Sequence, residues 1–280
     1  MDDTDPSRNH RFELHLDIEA TGVKPLDILS AHCAISRSMI KQAITDGALW
    51  LEDRHGIRRI RRTARELASG DKLHLYYDAT VLAERPTTAE LISDEGEYSV
   101  WNKPYGMRSQ GSKWGDHCTI TRWAELHLDP PRDAWLVHRL DRPTRGLMLV
   151  AHRRKTASAL SELFASRHIE KHYRAIVHGQ LQVSSPISVE ADVDGKPAHS
   201  ILLSSQYDAD SDESTVLVKI LSGRKHQVRR HLAFLGHAVV GDRLHGEGDQ
   251  TRDLQLTACH LAFTCPVSGD SKRFTLHEGR

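Results

Sequence analysis

Cysteine is scarce in this sequence, and what there is lacks a pattern. Cys33, Cys118, Cys259 and Cys265 are the only four in 280 residues. No C-x-x-C pair occurs among them, which argues against both a zinc ribbon and a disulfide framework. Long apolar runs are missing as well. Hydrophobic residues make up 39% of the chain, yet no continuous run is long enough to span a bilayer. The acidic start Met1-Asp2-Asp3-Thr4-Asp5 has no hydrophobic segment behind it. No secretory leader and no membrane association are therefore expected, and the expected location is cytoplasmic. Neither a G-x-x-x-x-G-K-S/T loop nor a G-x-G-x-x-G turn is present, so no nucleotide cofactor is expected. The nineteen histidines are scattered. His226 and His231 share a predicted helix but sit five apart, not at the i,i+4 spacing that puts two ligands on one face, and no metal site is expected.

Net charge is absent too, at a formal +0. That excludes a chain coated in one sign but not a local basic patch, which is what nucleic-acid affinity depends on. Such patches exist. Arg58, Arg59, Arg61, Arg62 and Arg65 lie together, Arg139, Arg142 and Arg145 surround Asp141, and Arg224, Lys225, Arg229 and Arg230 form a third cluster. The acids gather elsewhere, notably at Asp208, Asp210, Asp212 and Glu213.

Residues 1–11 are polar and predicted to be disordered. From 12 to 79 the punctuation is that of a small α+β unit. Pro25 suits the first turn of a helix carrying Leu26, Ile28 and Leu29. Ser36 is placed to cap a second helix that stops at Gly47. Ala48–Leu51, Ile57–Arg61 and Leu73–Tyr77 read as strands. Residues 80–95 contain Pro86 and mixed charge, and read as a linker. From 96 to 280, many short strands and two helices, roughly Arg154–Ser166 and His226–Leu235, predict an α+β domain around a mixed sheet. There is no internal repeat.

The most informative stretch is His138-Arg139-Leu140-Asp141-Arg142-Pro143-Thr144-Arg145-Gly146. It lies between the apolar segments Trp135–Val137 and Leu147–Val150, so the pattern is strand, polar loop, strand. Loops on a rigid scaffold commonly carry catalytic groups. Taken alone, Asp141 reads as a surface ion pair. The nine-residue string, however, resembles the catalytic-aspartate motif H-R-L-D-x-x-T-S-G of the RluA/TruC pseudouridine synthases. Further segments carry the same resemblance in order. These are Val100–Gly106 with its K-P-x-G turn, Glu170–Gly179 (K-x-Y-x-A-x-V-x-G), Val218–Arg229 (ending G-R-x-H-Q-I-R in the family) and Gly236–Asp242.

The resemblance implies an α+β catalytic domain with a central mixed, mainly antiparallel sheet, acting without a cofactor. It implies that this domain isomerises uridine to pseudouridine in structured ribosomal or transfer RNA. Asp141 matches the catalytic carboxylate, acting as nucleophile toward the sugar or base, or as base and electrostatic partner in deglycosylation. Arg229 matches the arginine that keeps that carboxylate charged. Tyr173 matches the tyrosine that meets the target base, and Arg139 the arginine that holds the flipped nucleotide out of its stack. Arg145 departs from the family's usual Ser, and its guanidinium is expected to point outward toward RNA phosphate.

Residues 12–79 resemble an S-four-type RNA-binding domain through Leu26-Asp27-x-Leu29, Ser36–Ile44 with Gly47, and Gly70-Asp71-x-Leu73. That resemblance implies RNA contact through Arg37 and Lys41, which are four apart on one helix face, extended by Arg58, Arg59, Arg61 and Arg62. Two other functions are open to the sequence. A glycosidase needs a second carboxylate, and none lies near Asp141. An RNA-binding factor with an inactive synthase-like domain would have no need of Asp141, Tyr173 and Arg229 together. A monomer is expected.

Overall fold

The computed structural model describes residues 11–246 and 251–277. The expected disorder of residues 1–11 falls almost entirely outside them; Arg11 itself already begins a strand. The chain packs as two compact units. One runs through Pro86 and includes Gln110–Arg122; the other comprises Thr87–Ser109 and the chain from Trp123 on.

The first unit is built from β1 (Arg11–Asp17), α1 (Pro25–His32), α2 (Arg37–Thr45), β2 (Leu49–Asp53), β3 (Gly56–Arg59), β4 (Lys72–Asp78) and α3 (Ala79–Ala83). Its four-stranded antiparallel sheet has the order β1-β4-β2-β3. Pro25 opens α1, where its missing N–H costs nothing. The Ser36 hydroxyl accepts from the Met39 N–H at 3.3 Å and caps α2. Alternation along β4 buries Leu73 and Leu75 against Leu29, Ile40 and Ile44.

The second unit contains β5 (Glu90–Asp94), β6 (Tyr98–Lys103), α4 (Ile120–His127, begun in the first unit), β7 (Trp135–Leu136), β8 (Arg145–Ala151), α5 (Arg154–Ala165) and β9 (Glu170–His178). It continues with β10 (Ile187–Glu190), β11 (His199–Asp208), β12 (Glu213–Ile220), α6 (Gln227–Phe234), β13 (Leu256–Thr264) and β14 (Ser271–Thr275). Its ten-stranded sheet follows β10-β11-β12-β9-β13-β8-β6-β5, with β14 on β13 and β7 on β8. Among the described residues only β13 and β8 pair in parallel, so the sheet is mixed and mainly antiparallel. One apolar core packs α5 under β6 and β8, and a second packs α6 under β9, β11 and β12.

Three expectations about organisation differ from the structure. Within the stretch read as a linker, Glu90–Asp94 is the edge strand β5, with β6 as its neighbour. An edge strand has one partner and tolerates polar residues, so its composition does not announce it. Residues 110–122, read as part of the catalytic domain, pack in the first unit. There the Trp50 indole N–H donates to the Lys113 carbonyl at 3.1 Å, and Lys113 pairs with Glu13 at 2.6 Å. The helix α4 is additional to the two expected.

Candidate active site

Asp141 sits in the turn joining β7 to β8, which pair as an antiparallel hairpin. Neighbouring backbone fixes that turn at several points. The Ser109 hydroxyl donates to the Leu140 carbonyl at 2.6 Å and accepts from the Leu140 N–H at 3.0 Å. The Gly106 N–H donates to the Arg142 carbonyl at 3.0 Å. Lys103, fully buried, donates from Nζ to the carbonyls of Met107 (2.8 Å), Pro104 (3.1 Å) and Arg142 (3.3 Å). Three acceptors around one ammonium satisfy all of its donors. Burial pulls the Lys103 pKa down to about 7, with Asp141 opposing that fall. His138, at the other end of the turn, stacks on Phe164 with ring centroids 4.1 Å apart and accepts from the Leu149 N–H at 3.0 Å. Burial lowers its pKa to about 3, so it serves as a neutral acceptor.

The turn ends at Gly146, with φ +117. A Cβ there would stand 2.3 Å from the Ala258 carbonyl oxygen and 2.6 Å from its nitrogen. The parallel contact of β8 with β13 therefore requires glycine, and that contact aligns Gly146 with Ala258, which in turn opposes Tyr173 on β9. A cavity of about 100 Å³ lies beside Tyr173, lined by Arg139, Asp141, Thr144, Tyr173, His226 and Leu256 among others.

Arg229 approaches Asp141 from α6. Its side chain is 3% exposed, and its Nη1 lies 3.9 Å from Asp141 Oδ2. The other side of the same guanidinium is committed: Nε donates to Asp242 Oδ2 at 2.7 Å and Nη2 donates to Asp242 Oδ1. Asp242 also accepts from the Leu244 and His245 N–H groups. Burial pushes its carboxyl up, but Arg229 and these amides outweigh that and hold it low. Nη1 has no hydrogen-bond partner among the described residues. The buried cation thus presents one unspent face to Asp141, whose side chain is 31% exposed.

His226 caps α6 in the left-handed conformation (φ 57). Its Nε2 lies 3.7 Å from Asp141 Oδ2, and its Nδ1 lies 2.9 Å from His245 Nε2. Burial lowers the His226 pKa, with Asp141 opposing. For Tyr173, burial and then the Asp141 charge raise the pKa, so the phenol keeps its proton at neutral pH.

Asp141, Tyr173, Arg139 and Arg229, expected together from sequence, are together here; Arg139 is exposed at the pocket edge. Arg145 is not with them. Side chains alternate across a strand, so Arg145 shares the opposite sheet face with Thr257 and Arg174 and lines a different cavity. In the first unit the basic run is largely spent internally. Arg58 pairs with Asp53, Arg59 and Arg61 both pair with Asp116, and Arg37 pairs with Asp27 at 2.7 Å. Lys41 and Arg62 are exposed and make no ion pair among the described residues. Sequence reasoning gave no role to Ser109, Lys103, His226 or Asp242. The last three fall inside quoted motifs, whereas Ser109 carries no local signal.

Comparison with known proteins identifies the family. Residues 97–234 match the family described as RNA pseudouridylate synthase. The tRNA pseudouridine synthase C of Yersinia pestis is 30% identical over 221 residues, covering 66% of this chain and 85% of that protein. The RNA pseudouridine synthase YjbO of Bacillus subtilis strain 168, itself uncharacterized, is 35% identical over 212 residues, covering 70% and 74%. The solved structure of human RNA Pseudouridylate Synthase Domain Containing 1 shares the fold, with a TM-score of 0.58 at 24% identity over 70% of this chain and 86% of its own. These matches define the class of protein, an RNA pseudouridine synthase and so an isomerase. The chain belongs to the RluA/TruC family of RNA pseudouridine synthases.

Proposed function

We propose that Asp141 is the carboxylate that drives uridine isomerisation in this enzyme, with a uridine of structured transfer or ribosomal RNA as substrate. The observation that carries the reading is Arg229: a buried guanidinium with one face unspent, aimed at the one carboxylate that lines the cavity among the described residues. Such a charge offsets the desolvation a carboxylate suffers when a base closes over it.

The reaction breaks the bond from ribose C1′ to uracil N1, forms one from C1′ to C5, removes the C5 proton and returns a proton to N1. An ionised Asp141 serves it by attacking the sugar, by attacking the base, or by taking a proton during deglycosylation. Tyr173, protonated at neutral pH, supplies an aromatic face for the base and a hydroxyl donor. Arg139, exposed at the pocket edge, fills the space left by the flipped nucleotide in this reading, a step costing a few kcal/mol. In the first unit, the S-four-type reading rests on the two helices over the sheet and on exposed Lys41, Arg62 and Arg65. Arg37, Arg58, Arg59 and Arg61 act chiefly as internal ties. The tRNA synthase of Yersinia pestis makes transfer RNA the first substrate to try.

The test is Asp141→Asn. Pseudouridine formation on total transfer RNA is expected to fall by more than a thousandfold while RNA binding stays within a few-fold. Turnover at the wild-type rate would remove Asp141 from the chemistry.

A further inference from the structure

The Arg145 face of the large sheet holds a second cavity, of about 680 Å³, which shares no lining residue with the Asp141 pocket. The volume lies in the range of sites that bind small organic ligands. Arg145 and Arg174 both line it, one on each side of Thr257 in a row across three strands. With strands about 4.8 Å apart, their Cα atoms stand roughly 10 Å apart, a spacing from which two long side chains can converge on one group.

Arg145 is half-buried and makes no hydrogen bond or ion pair among the described residues. A guanidinium on a cavity wall whose charge is unpaired is free to fork onto an incoming anion. Arg174 is anchored, donating from Nη2 to the Leu276 carbonyl at 3.2 Å. The family's usual Ser at position 145 would supply no such charge.

The remaining lining completes a nucleotide-sized set of contacts. Tyr105, half-buried at the cavity wall, offers a ring on which a base can stack. Asn102 donates to Glu90 at 3.2 Å, and the Glu90 and Asp253 carboxylates at the exposed rim can accept from a base's exocyclic amine. Their charge also disfavours di- and triphosphates, leaving a single phosphate as the better fit.

We propose that this cavity binds one nucleotide, its phosphate held by Arg145 and Arg174 and its base lying on Tyr105. The nucleotide is either a free nucleoside monophosphate or a residue of a bound RNA strand. The RNA case rests on the synthase reading above, but the measurement below is of binding and so fails independently of Asp141→Asn turnover.

Adenosine 5′-monophosphate, uridine 5′-monophosphate and total transfer RNA are titrated separately into the full-length wild type, Arg145→Ser, and Tyr173→Leu as the control for the Asp141 pocket. Saturable binding of a monophosphate that weakens at least tenfold in Arg145→Ser and not in Tyr173→Leu establishes the free-nucleotide source. If neither monophosphate binds, but RNA affinity falls at least fivefold in Arg145→Ser, the nucleotide belongs to RNA. Unchanged binding of all three ligands in Arg145→Ser overturns the proposal, as does a monophosphate whose binding responds only to Tyr173→Leu. Should Arg145→Ser not fold, Arg174→Gln takes the same measurements with the same thresholds.

Discussion

Arg229 divides one guanidinium between two carboxylates of different burial. Asp242, with its side chain fully buried, takes the Nε and Nη2 edge, and the half-buried Asp141 faces Nη1. A planar fork allows this division; an ammonium in the same place would have no fixed direction. Asp242→Asn is expected to cost about 3–5 kcal/mol in urea unfolding, because it leaves a buried cation without its charge partner. The double variant Arg229→Met with Asp242→Leu is expected to recover most of that stability but none of the turnover. Such a split would separate the pair's role in the fold from its role beside Asp141. Recovery of both would make Arg229 purely structural.

Among the elements, β8 carries the tightest constraint. Gly146→Ala would drive a methyl group into the Ala258 backbone, and neither strand can yield without losing the register that sets Tyr173 opposite Ala258. We expect a loss of at least about 2 kcal/mol of stability, read from the urea midpoint, with turnover reduced more than stability alone explains. This element also marks the limit of what the sequence discloses. The hairpin around Asp141, the caps of α1 and α2 and the span of α5 follow from apolar period, Pro25, Ser36 and glycine stops, all local signals. The facing of Arg145 depends on β8 pairing with β13, more than a hundred residues later, and no local pattern encodes that. Likewise Arg59 and Arg61 looked available because their shared partner Asp116 lies 57 and 55 residues away. What the motifs disclosed was which residues meet at the pocket, not how Arg229 is shared.

Across the whole molecule, histidine burial sets the acid limit of stability. His138, His152, His172, His226, His231, His245 and His260 all have pKa values lowered by burial. Unfolding frees each to take up a proton near pH 6.5, its ordinary value. Their contribution is therefore intact above about pH 6.5 and is lost as pH falls toward the depressed values. Each proton taken up steepens the loss by about 1.4 kcal/mol per pH unit. Urea midpoints are expected to drop between pH 6.5 and 5, ahead of the carboxylate window. A flat profile over that interval would mean these rings are already charged in the native state.

Residues 110–122 have a consequence of a different kind. Because the chain leaves the second unit after Ser109 and returns at Trp123, the two units are joined by three peptide crossings, not one. A protease nick near Pro86 would sever the backbone without releasing either piece, and a gene shortened at that point would keep a thirteen-residue excursion stripped of its packing partners. The first unit is therefore not a detachable module added to the end of a finished enzyme.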